Sequence, residues 1–322
     1  MDLEQRTRNE FFGNYVSKIQ KGIEIGPSYR PTFAKSEGWN IATVDHCSKE
    51  DLVDKYRAEK IDEKFISNIE EVDFVWTGQT YSEMFNGEGK FDYIVASHVI
   101  EHAPDLLMFL KETSDLLVNS GYLLLAVPDK KATFDFFRPN STIGDVIIGH
   151  LNPSLYDVKA LLDESHLRCE LNGAIAWNRE VSMNHLSIGQ LPIPTNQISA
   201  VHENIRMSLR EKDLKPKGYR DAHRWVFTPE TLQDIIGVLS SMNLIDYHVV
   251  NWSHTGYYEF LMILKKNKNQ TPTYGSRESA LVEFCPSFKE SINQNSGLGQ
   301  SLSRKIQLFT RIKRKVKNLI HG

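Results

Sequence analysis

The stretch from Gly22 to Asp45 constrains this chain more than any other. Gly22-Ile23-Glu24-Ile25 reads as a short apolar strand with an acid near its tip, and it runs into a glycine bend, Gly26-Pro27-Ser28. Ile41-Ala42-Thr43-Val44 reads as a second strand that closes on Asp45. A strand, a glycine turn, a helix and a second strand tipped by a carboxylate make the half-site that holds an adenosine in open α/β sheets. Glu24, Gly26, Pro27 and Asp45 are therefore candidate cofactor-binding residues. The plainer alternative, that Glu24 and Gly26 merely end a strand, stays open on the glycine pattern alone.

The glycines discriminate between adenosine cofactors. A dinucleotide fingerprint needs a second glycine for close approach to a pyrophosphate and a third for helix–strand packing. Here Ser28 holds the second position, and Tyr29, Arg30 and Pro31 follow. S-adenosylmethionine has no phosphate, so one pliable residue is enough, and its sulfonium and ammonium would be attracted by Glu24. The same carboxylate would repel a pyrophosphate, which disfavours a nicotinamide-linked oxidoreductase.

A third buried strand, Phe91 to Ser97, runs into the polar turn His98-Val99-Ile100-Glu101-His102, and an amphipathic helix follows through Leu116-Leu117. Ser120-Gly121 then opens another apolar strand that ends on Pro128-Asp129. With these motifs in this order, the chain resembles a class I S-adenosylmethionine-dependent methyltransferase, of the subgroup whose fourth strand ends in a phrase like ASHVIEH and whose fifth ends in PD. The likeness spans Gly22 to Asp129 and resumes near Phe227. Family members often carry a second glycine where Ser28 stands. The resemblance implies an α/β fold: a Rossmann-like, doubly wound, mostly parallel seven-stranded sheet with a large insertion after strand 5 and a C-terminal helical tail. It implies S-adenosylmethionine as cofactor, with Trp76 and Gly78 beside the adenine, and Ser97 and His98 at the tip of the fourth strand.

The remaining elements follow from periodicity. Phe11, Phe12, Tyr15, Val16 and Ile19 share a helical stripe, so a helix is expected over 9–20. A helix is expected from Lys49 to Tyr56, and the third strand over Asp73 to Trp76. Thr228-Pro229-Glu230 carries a cap, an N1 proline and an acid, which start a helix through Leu239. Two closing strands are expected at Ile245 to Val250 and Tyr258 to Leu264. The domain plan is 1–129 and 227–265 for the two parts of the methyltransferase domain, 130–226 for the insertion, 266–300 for a polar linker and 301–322 for a basic amphipathic helix.

A chain of 322 residues, 40% hydrophobic and 25% charged, can bury a sizeable core. A net charge of -3 gives no global field for nucleic acid. Cys47, Cys169 and Cys285 match neither a disulfide framework nor a zinc spacing, so a reducing cytoplasm is the simplest home. No apolar signal core occupies the N-terminus, and no apolar run approaches the ~20 residues that span a bilayer.

Ligands bind beyond the carboxyl ends of the strands in such sheets, and the insertion after strand 5 overhangs that edge. It is rich in polar groups, among them Asp135, Arg138, His150, Asp157, His166, Asn184, His185, Arg220, Asp221, His223 and Arg224. The runs Phe134 to Pro139 and His223 to Phe227 interleave aromatic, charged and imidazole groups, as sugar-binding surfaces do. The expected acceptor is a polar small molecule or a glycan. For methylation at a hydroxyl, the candidate catalytic residues are His98, His150 and His223 as bases and Asp129 to orient one of them. His102 is expected to fix the turn before the next helix. No i,i+4 histidine pair on an expected helix, and no paired-cysteine motif, points to a metal.

Residues 301–321 place Leu302, Ile306, Phe309, Ile312, Val316, Leu319 and Ile320 on one helical face. Seven Lys and Arg and no acid complete the segment. Such a helix suits an anionic membrane surface or a partner protein, and its sparse aromatics do not suit nucleic acid. A non-catalytic scaffold recruited through this helix is the alternative to an enzyme.

Overall fold

The computed structural model describes residues 3–85, 90–153, 158–180 and 222–267. In chain order these form α1 (Leu3–Phe12), β1 (Gly22–Ile25), β2 (Ile41–Asp45), α2 (Lys49–Ala58), α3 (Glu63–Ile66), β3 (Phe74–Val75), α4 (Tyr81–Met84) and β4 (Phe91–Ser97). There follow α5 (Leu106–Leu116), β5 (Leu117–Pro128), α6 (Ile143–Leu151), α7 (Val158–Leu167), α8 (Pro229–Ser241), β6 (Tyr247–His254) and β7 (Glu259–Lys266). The expected groups Asp157, Asn184, His185, Arg220 and Asp221, the linker beyond residue 267 and the basic segment 301–322 lie outside the described residues.

The seven strands make one sheet in the order β3-β2-β1-β4-β5-β7-β6. All neighbours are parallel except β7, which runs antiparallel to both β5 and β6. The order reverses between β1 and β4, and the crevice outside the carboxyl ends at such a switch point is where open α/β sheets bind ligands. The reversed strand adds a further residue to that edge, because Glu259 at the start of β7 is in register with Pro128 at the end of β5.

Alternation of side chains across the sheet builds two cores. On β4, Ile94 and Ala96 belong to one cluster, while Tyr93 and Val95 belong to the other. Leu106, Leu107 and Leu110 of α5 and Leu232, Ile235, Ile236 and Leu239 of α8 join the first cluster. Phe12, Val16 and Phe33 join the second. The helix starts follow local capping chemistry: Asp105 accepts the Met108 N–H at the start of α5, and Thr228 caps α8 with Pro229 in its first turn.

The N-terminal helix differs from expectation. It ends at Phe12, where the N–H of Gly13 makes a last bond to Asn9, and the chain then turns, with the side chain of Gln20 accepting the Ser17 N–H. Phe12 and Val16 are buried as the stripe requires, but Ile19 is 88% exposed, because the helical period stops before it. The third strand is only two residues long, and the closing strands start slightly later and run further than expected. Among the described residues, no helix is long and apolar enough to cross a membrane.

Candidate active site

The bend after β1 is built from two left-handed residues, Gly26 at φ 66° and Ser28 at φ 52°. Ser28 thus adopts the backbone conformation for which a second glycine is the usual choice. Its cost is offset locally, since its N–H donates to Asp45 Oδ2 at 3.1 Å and its hydroxyl donates to Tyr56 at 2.6 Å. Burial pushes the Tyr56 phenol up to about 12, against the opposing effect of the Ser28 bond, so it stays a neutral partner. The N–H of Gly26 bonds to the Val44 carbonyl at 2.7 Å, which draws the bend across the tip of β2. A Cβ on Gly26 would stand 3.0 Å from the Val99 side chain, so the bend lies directly against the turn that follows β4.

Asp45, at the tip of β2, is buried, and its other oxygen takes the His46 N–H at 2.8 Å. A carboxylate has about four lone-pair sites, and Oδ2 carries only the Ser28 bond among those just named, so acceptor capacity is left for a ribose hydroxyl. The donor set therefore fits an adenosine. Trp76 follows β3 at the same edge, half-buried, with its ring N–H donated to the Gln79 carbonyl at 2.8 Å. Gly78, at φ 103°, faces open space. Ser97 ends β4 and shares a 3.1 Å hydroxyl contact with Thr32.

Glu24 behaves differently from expectation. It is fully buried, and its oxygens accept the N–H groups of Thr32 at 2.7 Å and Phe33 at 3.3 Å. Burial raises its carboxyl to about 7, and those backbone bonds offset only part of that effect. An enclosed carboxylate bound this way cannot touch a sulfonium directly. It fixes the segment that follows the cofactor bend.

His98 follows β4 at φ 54°, with its N–H bonded to the Ala126 carbonyl at 2.9 Å. Its ring Nε2 lies 2.8 Å from Glu259 Oε2, and Arg8 grips the same carboxylate through two nitrogens. Burial alone would raise the Glu259 carboxyl, but the Arg8 charge and the bonds from His98 and Arg8 outweigh it and hold it at about 2. Glu259 is therefore ionised, and Nε2 of His98 carries the proton between them. The opposite nitrogen, Nδ1, is 3.5 Å from Glu101 Oε1.

Folding brings His223 to the same turn. The Glu101 carbonyl accepts the N–H groups of Arg224 at 2.7 Å and Trp225 at 3.0 Å, and the Trp225 indole donates to the Ala103 carbonyl at 2.7 Å. The His223 ring packs 4.8 Å from His102 and 4.7 Å from Phe134. Asp135 binds both Arg138, at 2.7 Å, and Nδ1 of His223, at 2.5 Å. Burial would lower the pKa of His223, but the hydrogen bond and charge of Asp135 outweigh it and raise it. The runs Phe134 to Pro139 and His223 to Phe227 thus meet, yet Asp135, Arg138, His223, Trp225 and Phe227 are buried. At those positions the runs form a wall, not the sugar-binding surface their composition implied.

Two expected catalytic residues are placed elsewhere. His150 ends α6 with Nδ1 2.8 Å from Asp105, the cap of α5, and lies outside the group of Glu101, His102 and His223. Asp129 is fully buried; it accepts the Lys131 N–H at 2.9 Å and Arg179 at 2.8 Å, and it pairs with none of His98, His150 or His223. Glu101 is absent from the expected site and His102 is expected only to fix the turn, because nothing local announces that His223 will join them.

A sheet of this order, with a glycine bend at β1 and a carboxylate at the tip of β2, is the Rossmann-like architecture that suits a nucleoside cofactor. A family described as "Methyltransferase domain" matches residues 12–189, more than half of the chain, and the chain belongs to that family. The matched segment is a methyltransferase domain. No curated protein matches it. Among solved structures it is similar to the CurJ carbon methyltransferase (11% identity, TM-score 0.37, 77% of this chain and 49% of that one). It is also similar to the methyltransferase CalH in complex with SAH (14%, TM-score 0.37, 81% and 55%). A third is magnesium protoporphyrin IX methyltransferase from Synechocystis PCC 6803 with bound SAH (10%, TM-score 0.35, 82% and 84%). The chain spans about half the length of the first two.

Proposed function

We propose that this enzyme methylates a hydroxyl oxygen of a polar acceptor, a glycan or a small molecule, with His98 as the base. The observation that carries the reading is the fixed imidazole one residue beyond the tip of β4, locked on one nitrogen by the Arg8–Glu259 pair. When bound, S-adenosylmethionine supplies a methyl group made electrophilic by its sulfonium. Gly26, Pro27, Ser28, Asp45 and Trp76 would hold it. His98, with its Nε2 proton committed to Glu259, keeps its lone pair on Nδ1, where a proton can be received from a hydroxyl. Glu101 Oε1, 3.5 Å from that nitrogen, is the polar neighbour that supports an oxygen-bearing acceptor. Host extract incubated with the enzyme and isotope-labelled methyl donor tests this by mass spectrometry. Label on saccharide or small-molecule oxygen is expected, and label on nitrogen or carbon alone would overturn it.

For the basic segment 301–321 we propose contact with an anionic membrane surface, on its charge and apolar face alone. Co-sedimentation with phosphatidylserine vesicles should be lost when residues 301–322 are removed; equal sedimentation would refute it.

A further inference from the structure

The Glu101 carboxylate is the most unusual group in the described chain. Its residue is 1% exposed, and neither side-chain oxygen has a hydrogen-bond partner. A buried carboxylate that accepts no hydrogen bond is costly, so one placed this way calls for a proton or a cation.

Its neighbours are imidazoles, each with one ring nitrogen directed to another acceptor. Nδ1 of His102 lies 3.2 Å from the Ala222 carbonyl oxygen, which can only accept, so in the neutral ring the lone pair is on Nε2, 3.8 Å from Glu101. His223 commits Nδ1 to Asp135, which leaves Nε2 as its ligand atom. His98 turns Nδ1 to the same carboxylate from the side of β4. Each of the three rings is thus oriented through its far nitrogen by a carboxylate or a carbonyl, the arrangement found behind metal-bound histidines. One ligand atom from each of Glu101, His102 and His223 lies within 4.8 Å of the others.

We infer that Glu101, His102 and His223 bind a divalent first-row transition-metal ion beside the cofactor bend. Two imidazoles and a carboxylate suit zinc, iron, cobalt or manganese, and leave coordination positions open. Val99, two residues before Glu101, touches the Gly26 bend, so the ion is next to the cofactor loop. His102 and His98 remain 22% and 30% exposed at their side chains, so an acceptor can reach the ion from solvent. An acceptor oxygen on the ion would face Nδ1 of His98; this placement, unlike the binding of the ion, rests on the methyl-transfer reading.

The test uses full-length protein freed of metal by a chelator and titrated with cobalt(II), followed by visible absorption and metal analysis. One equivalent per chain and a ligand-field band are expected. Glu101→Gln keeps the shape and loses no hydrogen bond, so it should fold; it should weaken cobalt binding at least tenfold and retain thermal stabilisation by S-adenosylmethionine. His223→Gln should weaken cobalt binding as well. Wild-type protein that takes up no cobalt, zinc or manganese, or a Glu101→Gln variant that binds cobalt as tightly as wild type, would overturn the inference. Cobalt binding without stabilisation by S-adenosylmethionine would uphold the metal site and count against the methyl-transfer reading alone.

Discussion

Nε2 of His98 lies 2.8 Å from Oε2 of Glu259, a carboxylate 161 residues further along the chain. The contact joins the tip of a parallel strand to the start of the reversed one, and Arg8 closes it from α1. Glu259→Gln removes the buried charge that Arg8 and His98 both face. Loss of about 3–5 kcal/mol is expected, read as a lower urea midpoint. Activity at temperatures where the variant is folded should fall through kcat, with KM for the methyl donor unchanged.

Glu24 and Glu259 should give opposite pH signatures. Glu259 has a folded pKa of about 2, below its ordinary 4.5, so its stabilisation is present above pH 4.5 and lost as pH falls toward 2. Glu24 has a folded pKa of about 7, so folding takes up a proton between pH 4.5 and 7, and its contribution falls as pH rises through that window by about 3 kcal/mol. Glu24→Gln cannot titrate. Urea unfolding of wild type and variant should converge by about 3 kcal/mol, in the variant's favour, between pH 4.5 and 7.5. Parallel curves would show that Glu24 keeps an ordinary carboxyl.

Asp45→Ala removes the acceptor offered to the ribose and the partner of the Ser28 N–H. Wild type should be stabilised thermally by S-adenosylmethionine and S-adenosylhomocysteine and not by NAD, as linkage demands of a ligand selective for the folded chain. The variant should lose at least tenfold in affinity, and with it most of that shift. An unchanged shift would place the adenosine elsewhere.

Gly22→Ala tests the packing beneath the site. A Cβ there would stand 2.1 Å from the ring of Tyr93, its partner across β1 and β4, and that ring is fully buried. The variant should lose about 1–3 kcal/mol or more by overpacking. The penalty should shrink in a Tyr93→Val background, which a double-mutant cycle by urea unfolding would measure.

The sheet was readable from residues because its signals are local. Glycine bends, acids at strand tips and the Thr228-Pro229 start of α8 act within a few residues of where they stand. Asp45 and Ser97 lie at strand tips for the same reason. What could not be read depends on side chains meeting across long separations. Glu24 looked like a cofactor neighbour until Thr32 and Phe33 folded over it. His102 looked like a turn residue because the segment that brings His223 to its turn lies some 120 residues further along the chain. His150 shares the residue type of the cluster, but α6 carries it to Asp105.

The reversal of β7 has a consequence for how the enzyme comes into being. A parallel strand reaches the working edge with its last residue, whereas β7 reaches it with its first, Glu259. During synthesis the cofactor half, from Gly22 to Ser97, leaves the ribosome long before the residue that holds His98 in place. Among the described strands β7 is the last made, yet it lies between β5 and β6, so the sheet closes only when its final strand is inserted between neighbours made before it.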